Sequence, residues 1–298
     1  MASAPPDSSQ PVFRFAPSPN GRLHLGHALS ALTNEALADH FGGRLLLRIE
    51  DIDLTRCRPE FVAGIETDLE WLGIRFESGF RRQSQHFDAY AAALASLRER
   101  GLIYPCFCSR QEIRNAVAAR EAETNQPWPV DPDGAPLYPG LCKALDPGEV
   151  AQRMAAGEEH VLRLDMAAAI ATAGRRLGYT AFDAAGDRRV VEVAPERWGD
   201  VVLARKDVPT SYHLAVTVDD ALQGVTHVVR GRDLEAATDV HVLLQHLLGL
   251  PTPLYHFHRL LLDDDGQKLA KSRASQSLAA LRASGVTAAE IRRRLGFA

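Results

Sequence analysis

RFAPSPNGRLHLGHALSALTNEALADHFGGRLLLRIED, residues 14–51, decides the fold. With Val12 and Phe13 before it, the stretch begins as a short apolar run, VFRF, that breaks at Pro17. Amphipathic spacing then carries a helix as far as the glycine pair Gly42–Gly43. RLLLRIED follows, an apolar run short enough for a buried strand. Strand, helix and strand in this order form a βαβ unit, whose natural outcome is a parallel sheet.

Working outward, residues 59–72 and 85–99 have helical spacing, and LRERGLIYPCFCSRQEI introduces clustered cysteines. The Pro/Gly/Asp-rich TNQPWPVDPDGAPLYPG reads as a long loop in an inserted subdomain, and residues 160–193 as antiparallel hairpin material. Strand-like runs resume in DVVLARKDVPTSYHLAVTVDDALQGVTHVVRGRDL, TDVHVLLQHLLGL is a helix, and two short helices close the chain. The expected fold class is therefore α/β: a Rossmann-like parallel sheet shared between the two ends of the chain, with an inserted α+β subdomain. The expected boundaries are a disordered tail at 1–10, a first catalytic half at 11–100, the insertion at 101–195 and a second catalytic half at 196–298.

Hydrophobic residues make up 46% and charged residues 24% of the 298, an ordinary globular composition. A net charge of −4 excludes a global basic field for nucleic acid, so any RNA contact must be local. There is neither a long apolar run nor a secretory signal, so a cytoplasmic protein without membrane contact is expected.

In an open α/β sheet, anions bind at helix N-termini beyond the carboxyl ends of the strands. APSPNGRLHLGH stands at such a junction: Pro17 and Pro19 fix the turn, and Gly21 and Gly26 allow close backbone approach. His24 and His27, three apart, offer imidazole donors to phosphate oxygens; two histidines on a helix surface are the plain alternative. KLAKS, Lys268 to Ser272, suits a loop carrying point charges to a triphosphate. A solvated basic loop is the alternative, although the chain has only four lysines and two of them, Lys268 and Lys271, fall here.

HLGH and KLAKS together resemble the two signatures of class I aminoacyl-tRNA synthetases. RFAPSPNG, LRIEDID, SYHLAVTVDD and VVRGRDL are similar to the catalytic domain of glutamyl-tRNA synthetases, a resemblance spanning most of residues 12–273. It implies an ATP-binding set of His24, Gly26, His27, Lys268, Lys271 and Ser272, with His24, His27 and Lys271 catalytic and Mg²⁺ accompanying the nucleotide. It also implies L-glutamate contacts from Arg14, Phe15, Ala16, Pro17, Ser18, Glu50, Tyr212 and Arg230. The physics agrees, since a buried carboxylate needs a guanidinium and an α-ammonium needs a carboxylate. On the residues alone, Arg14 and Arg230 could equally be intradomain ion pairs, Tyr212 a core aromatic and Glu50 an arginine-paired carboxylate.

Of the four cysteines, Cys106, Cys108 and Cys142 cluster, and a reduced small core would account for them. A Cys-x-Cys…Tyr-x-x-x-Cys arrangement, Cys106, Cys108, Tyr138 and Cys142, resembles the structural zinc site of glutamyl-Q tRNA(Asp) synthetases, paralogues of the glutamyl enzymes. Cys57 and His160 are possible substitutes for Tyr138, and the Pro-rich stretch between Cys108 and Tyr138 departs from the compact form of that site. Only 26 residues follow KLAKS, too few for a helical anticodon-binding region. The resemblance then implies a monomeric ligase that activates glutamate without tRNA and transfers it to queuosine at the wobble position of tRNA(Asp). Charging of a tRNA 3′ end, or a non-catalytic zinc- and nucleotide-binding paralogue, are the alternatives.

Overall fold

The computed structural model describes residues 10–261 and 276–297. The expected N-terminal tail, apart from Gln10, and KLAKS lie outside the described residues. The chain opens with β1 (Val12–Phe15), α1 (Leu25–His40) and β2 (Arg44–Ile49), the expected βαβ unit, with β1 and β2 parallel in the register Phe13↔Leu45 and Phe15↔Leu47. All four β1 residues are buried, as the strands of a sheet covered on both faces must be. The return at Gly42–Gly43 is tight. Gly42 has φ +61°, and a Cβ at Gly43 would lie 2.8 Å from both the Phe13 ring and the Pro11 carbonyl.

There follow α2 (Pro59–Trp71), β3 (Arg81–Arg82), α3 (Phe87–Glu99) and β4 (Ile103–Cys106). Next come α4 (Arg110–Thr124), α5 (Pro147–Ala155), β5 (Val161–Leu164), α6 (Met166–Ala173), β6 (Gly178–Phe182) and β7 (Arg188–Glu192). The last third comprises β8 (Val202–Ala204), α7 (Tyr212–Leu222), β9 (His227–Gly231), α8 (Thr238–Leu248), β10 (Leu254–His258), α9 (Leu278–Ala283) and α10 (Ala288–Leu295). Strands from the two ends do share one sheet, in the order β3-β2-β1-β9-β10-β6-β7, parallel throughout except for the β6–β7 hairpin. On one face α1, α2, α9 and α10 bury Leu32, Ile65, Leu278 and Ile291. A second core joins α3, α7 and α8 to a separate antiparallel sheet, β4-β5-β8, around Tyr90, Leu164, Leu203 and Leu243.

This small sheet is the inserted body, but its limits differ from the expected 101–195. The β6–β7 hairpin pairs with β10 in the main sheet, Ala181 opposite Tyr255, because β10 would otherwise leave an open edge. β8, read with the second catalytic half, pairs instead with β5. Four helices are additional to the sequence reading. α7 forms where YHLAVTVDDAL reads as strand-like, because its buried leucine and valine side chains pack one helical face against α3 and α8. Ser109 and Glu112 form a reciprocal cap at the start of α4, Asp146 caps α5 ahead of Pro147, and the alanine-rich MAAAIATA of α6 starts on Asp165. None of the described helices is long and apolar enough to cross a membrane.

Candidate active site

The chain steps from β1 to β2 on one side, while β9 lies against β1 on the other, so the strand order reverses between β1 and β9. Loops beyond the carboxyl ends of strands part at such a reversal and leave a ligand crevice. Here they enclose a cleft of about 310 Å³. The structure brings residues Arg14 to Ser18 together with His24, Gly26, His27, Glu50, Tyr212 and Arg230 around it. Lys268, Lys271 and Ser272 lie outside the described residues. The chain on either side of them reaches this cleft: Leu261 lines it, and Ser277 forms an antiparallel bridge with His24.

The two histidines do not share a helical face as their spacing suggests. His24 is the cap residue of α1, in extended conformation, and its Nδ1 accepts the Gly26 N–H at 3.0 Å. His27 sits in the first turn and returns the favour, its Nδ1 accepting the His24 N–H at 3.1 Å. With each Nδ1 committed as an acceptor, the neutral rings carry their protons on Nε2. The ring centroids lie 3.9 Å apart, and a Cβ on residue 26 would come within 2.9 Å of His24 Cε1, so any residue larger than glycine would push the His24 ring out of this arrangement.

The charged side chains divide into two groups. Arg14 Nε and Nη2 donate to the two oxygens of Asp220 at 3.0 and 3.4 Å, which makes it the intradomain ion pair that the residues alone allowed. Arg48, fully buried on β2, donates to Asp220 at 2.7 Å, to Gln223 at 3.0 Å and to Glu50 at 3.2 Å. Asp219 receives Arg81, Gln83 and Tyr90 at 2.7 to 2.8 Å. Three guanidinium groups thus meet the three carboxylates Glu50, Asp219 and Asp220. Burial works against ionising Asp220, but Arg14 and Arg48 outweigh it and hold its carboxyl below the ordinary range. At Glu50 burial prevails over Arg48 and Arg14, and its carboxyl is raised.

Arg230 stands apart. It is 5% exposed, its Nη1 donates to His241 Nδ1 at 3.1 Å and its Nη2 to Thr238 Oγ1 at 2.7 Å. Its buried Nε has no hydrogen-bond partner, and among the described residues no carboxylate forms an ion pair with it. A guanidinium cannot shed its charge, so the cleft presents an uncompensated buried cation, an arrangement that favours an anionic ligand. Tyr212, the first residue of α7, is half-buried with its ring 5.6 Å from that of His241.

A second corner lies in the small sheet. The sulfur atoms of Cys106, Cys108 and Cys142 all lie within 4.8 Å of one another, with Cys108 and Cys142 at 3.2 Å. Tetrahedral zinc with thiolate bonds near 2.3 Å sets sulfurs about 3.8 Å apart, so the trio fits the ion. Tyr138 Oη is 3.4 Å from Cys108 Sγ and accepts the Cys142 N–H at 2.7 Å, a position from which a fourth bond is within reach. Burial alone would raise the Cys142 thiol, yet the Tyr138 hydroxyl, Cys108 and the Phe107 N–H bring it below its ordinary value, as suits a thiolate. Neither Cys57 nor His160 joins the group: His160 Nδ1 contacts the Glu158 carbonyl at 2.9 Å, and Cys57 belongs to the loop beyond β2 near Ser18. Zinc bound here would hold the long loop against β4. Cys106→Ser should lower zinc from about one per chain to about none, read by elemental analysis of the purified protein.

Residues 12–296 match the family described as tRNA synthetases class I (E and Q), catalytic domain. The chain belongs to this family of class I tRNA synthetases. Over 96% of its length it is 46% identical to the whole of a glutamyl-Q tRNA(Asp) synthetase from Rhodobacter capsulatus. With 38% identity, 91% of it matches 56% of glutamate–tRNA ligase 2 from Nitrosococcus oceani. Its fold is similar to a glutamate tRNA ligase from Elizabethkingia meningosepticum, solved in complex with its amino acid, with TM-score 0.71, 27% identity and 89% of this chain covered. The chain spans 52% of the length of that enzyme.

Sequence reading of this synthetase missed Arg48, Asp220, Thr238 and His241. The only hint was composition, because charged and imidazole groups within apolar runs such as RLLLRI and VHVLL must find partners when buried. It missed also a larger cavity of about 980 Å³, which shares Ser18, Glu50 and Tyr212 with the cleft and reaches Cys108 and Tyr138 on the far wall.

Proposed function

We propose that this synthetase activates L-glutamate with ATP, without tRNA, and transfers the glutamyl group to queuosine at the wobble position of tRNA(Asp). The observation that carries the amino-acid reading is Arg230, a buried cation with no carboxylate partner among the described residues, in a cleft that also holds Glu50. In this reading Arg230 takes the substrate's side-chain carboxylate and Arg14 adds a hydrogen-bonding edge whose charge Asp220 already meets. The raised carboxyl of Glu50, which Arg48 already meets at 3.2 Å, gains a second partner in the α-ammonium, which would draw it back toward ionisation.

The α-carboxylate oxygen attacks the α-phosphorus of ATP in line, the bond to the β-phosphate oxygen breaks, and glutamyl-adenylate and pyrophosphate result. This step needs position and charge and no protein nucleophile. The N-terminus of α1, with His24 and His27, and Lys268, Lys271 and Ser272 from KLAKS would hold the phosphates. Mg²⁺ arriving with the nucleotide would neutralise charge on them. A hydroxyl of queuosine's cyclopentenediol then attacks the acyl carbon, the acyl–phosphate bond breaks, and AMP and the hydroxyl proton leave. The larger cavity beside Tyr212 offers room for that acceptor, and the Rhodobacter relative supports queuosine as its identity.

Charging of a tRNA 3′ end is the second reading, favoured by the Nitrosococcus relative. Pyrophosphate exchange and labelled-glutamate transfer separate the two. The expected results are glutamate-dependent exchange without RNA, and label on queuosine-containing tRNA(Asp) but not on the unmodified transcript. Exchange that appears only when tRNA(Glu) is added, with label at its 3′ end, would favour the second reading.

A further inference from the structure

We infer that His241 and Thr238 are positioning residues that make Arg230 selective for a carboxylate over an amide, by holding the guanidinium with neutral acceptors alone. The inference rests on the reading of Arg230 as the substrate's carboxylate partner.

Thr238 and His241 lie three apart on α8 and so on one face of it, and both are buried beside β9. Thr238 Oγ1 accepts from Arg230 Nη2 at 2.7 Å and His241 Nδ1 from Nη1 at 3.1 Å. A guanidinium has donors only, so His241 Nδ1 must be unprotonated. Its ring proton is then on Nε2, 3.2 Å from His213 Nδ1, which accepts it and keeps its own proton on Nε2. The direction of every hydrogen bond from Arg230 to His213 follows from one fixed donor. Burial, with the Arg230 charge, pushes His241 well below its ordinary value and His213 down to about 4, so the chain stays neutral. The rings of Tyr255 and Phe257, with centroids 5.4 and 5.8 Å from the Arg230 guanidinium carbon, complete the hold without charge.

Arg14 shows what the alternative would be. Clamped by Asp220, it presents donors whose charge is spent. A clamp of that kind at residue 230 would distinguish glutamate from glutamine weakly, since both offer a carbonyl-type acceptor and only one brings charge. The neutral clamp fixes where Arg230 points and leaves its charge to the ligand, so an incoming amide leaves a buried cation unpaired.

The test is pyrophosphate exchange by the full chain with glutamate and with glutamine, for wild type, His241→Leu, His241→Asn and Thr238→Val, with thermal unfolding of each. Losing one clamp bond should raise KM for glutamate about tenfold and narrow the preference over glutamine, with KM for ATP unchanged. Asparagine restores an acceptor near the Nδ1 position and should bring KM for glutamate back toward wild type. Should His241→Leu not fold, Thr238→Val decides. An unchanged KM for glutamate in Leu and Val variants, or a matching rise in KM for ATP, or an asparagine variant as impaired as leucine, would overturn the inference. Wild-type protein that exchanges with glutamine as well as with glutamate would overturn it together with the reading of Arg230.

Discussion

Arg230→Gln is expected to lower kcat/KM for glutamate by roughly 10²–10³-fold and to leave the protein as stable as wild type or more so. The loss follows from removing one member of a buried charge pair made with the substrate, about 3–4 kcal/mol. The stability follows from the same burial. Without ligand, Arg230 is a desolvated cation held by a hydroxyl and an imidazole, and its Nε has no partner among the described residues. Glutamine keeps donors for Thr238 and His241 and removes the cost of that charge. Exchange kinetics and thermal unfolding, measured on the same preparations, check the two halves. A variant that loses activity and stability in equal measure would make Arg230 a structural group.

Arg48→Met should behave in the opposite way, costing about 3–5 kcal/mol of folding stability and lowering Tm by roughly 10 °C. Arg48 is fully buried and joins Asp220 and Glu50 directly, with Asp219 4.0 Å away. Methionine fills the space but leaves these carboxylates facing one another with less positive charge than before. The deficit should depend on pH. In wild type the Asp220 carboxyl lies below its ordinary range, so its contribution is present at neutral pH and is lost as pH falls through its folded value. In the variant burial is less opposed, the carboxyls rise, and protonation relieves the penalty on acidification. The gap in Tm between wild type and Arg48→Met should therefore narrow from pH 7 toward pH 5. A constant gap would mean that lost packing, and not charge, explains the change.

Much of this architecture was legible in the chain because it rests on local pattern. VFRF, the helix to the glycine pair and RLLLRI announce a βαβ unit, and the apolar runs near the other end announce strands that complete its sheet. Residues quoted from separate stretches, Arg14 to Ser18, Glu50, Tyr212 and Arg230, meet around one cleft because each follows or ends a strand near the reversal in strand order, or begins the helix beside it. Pairings across long separations were not legible. Arg14 and Asp220 are 206 positions apart, and nothing local tells that arginine it will be neutralised while Arg230 will not. The β6–β7 hairpin looked like part of the insertion because its own turn is local, whereas its bond to β10 is set by the edge it covers. The start of α4 was readable in Ser109-x-x-Glu112 and was hidden by the Pro-rich segment that follows it.

The interleaving of the two sheets has a mechanical consequence. The polypeptide leaves the main body before β4, comes back for β6, departs again to make β8 and returns as α7, so four strands of backbone span the junction. A hinge works when few connections bend, and four tethers resist twisting or opening more than one or two would. Tyr212 stands a few residues beyond the last of them. The spacing between the amino-acid cleft and the cysteine corner is thereby restrained, and the acceptor proposed for the cavity that joins them would have to fit its own shape to that spacing.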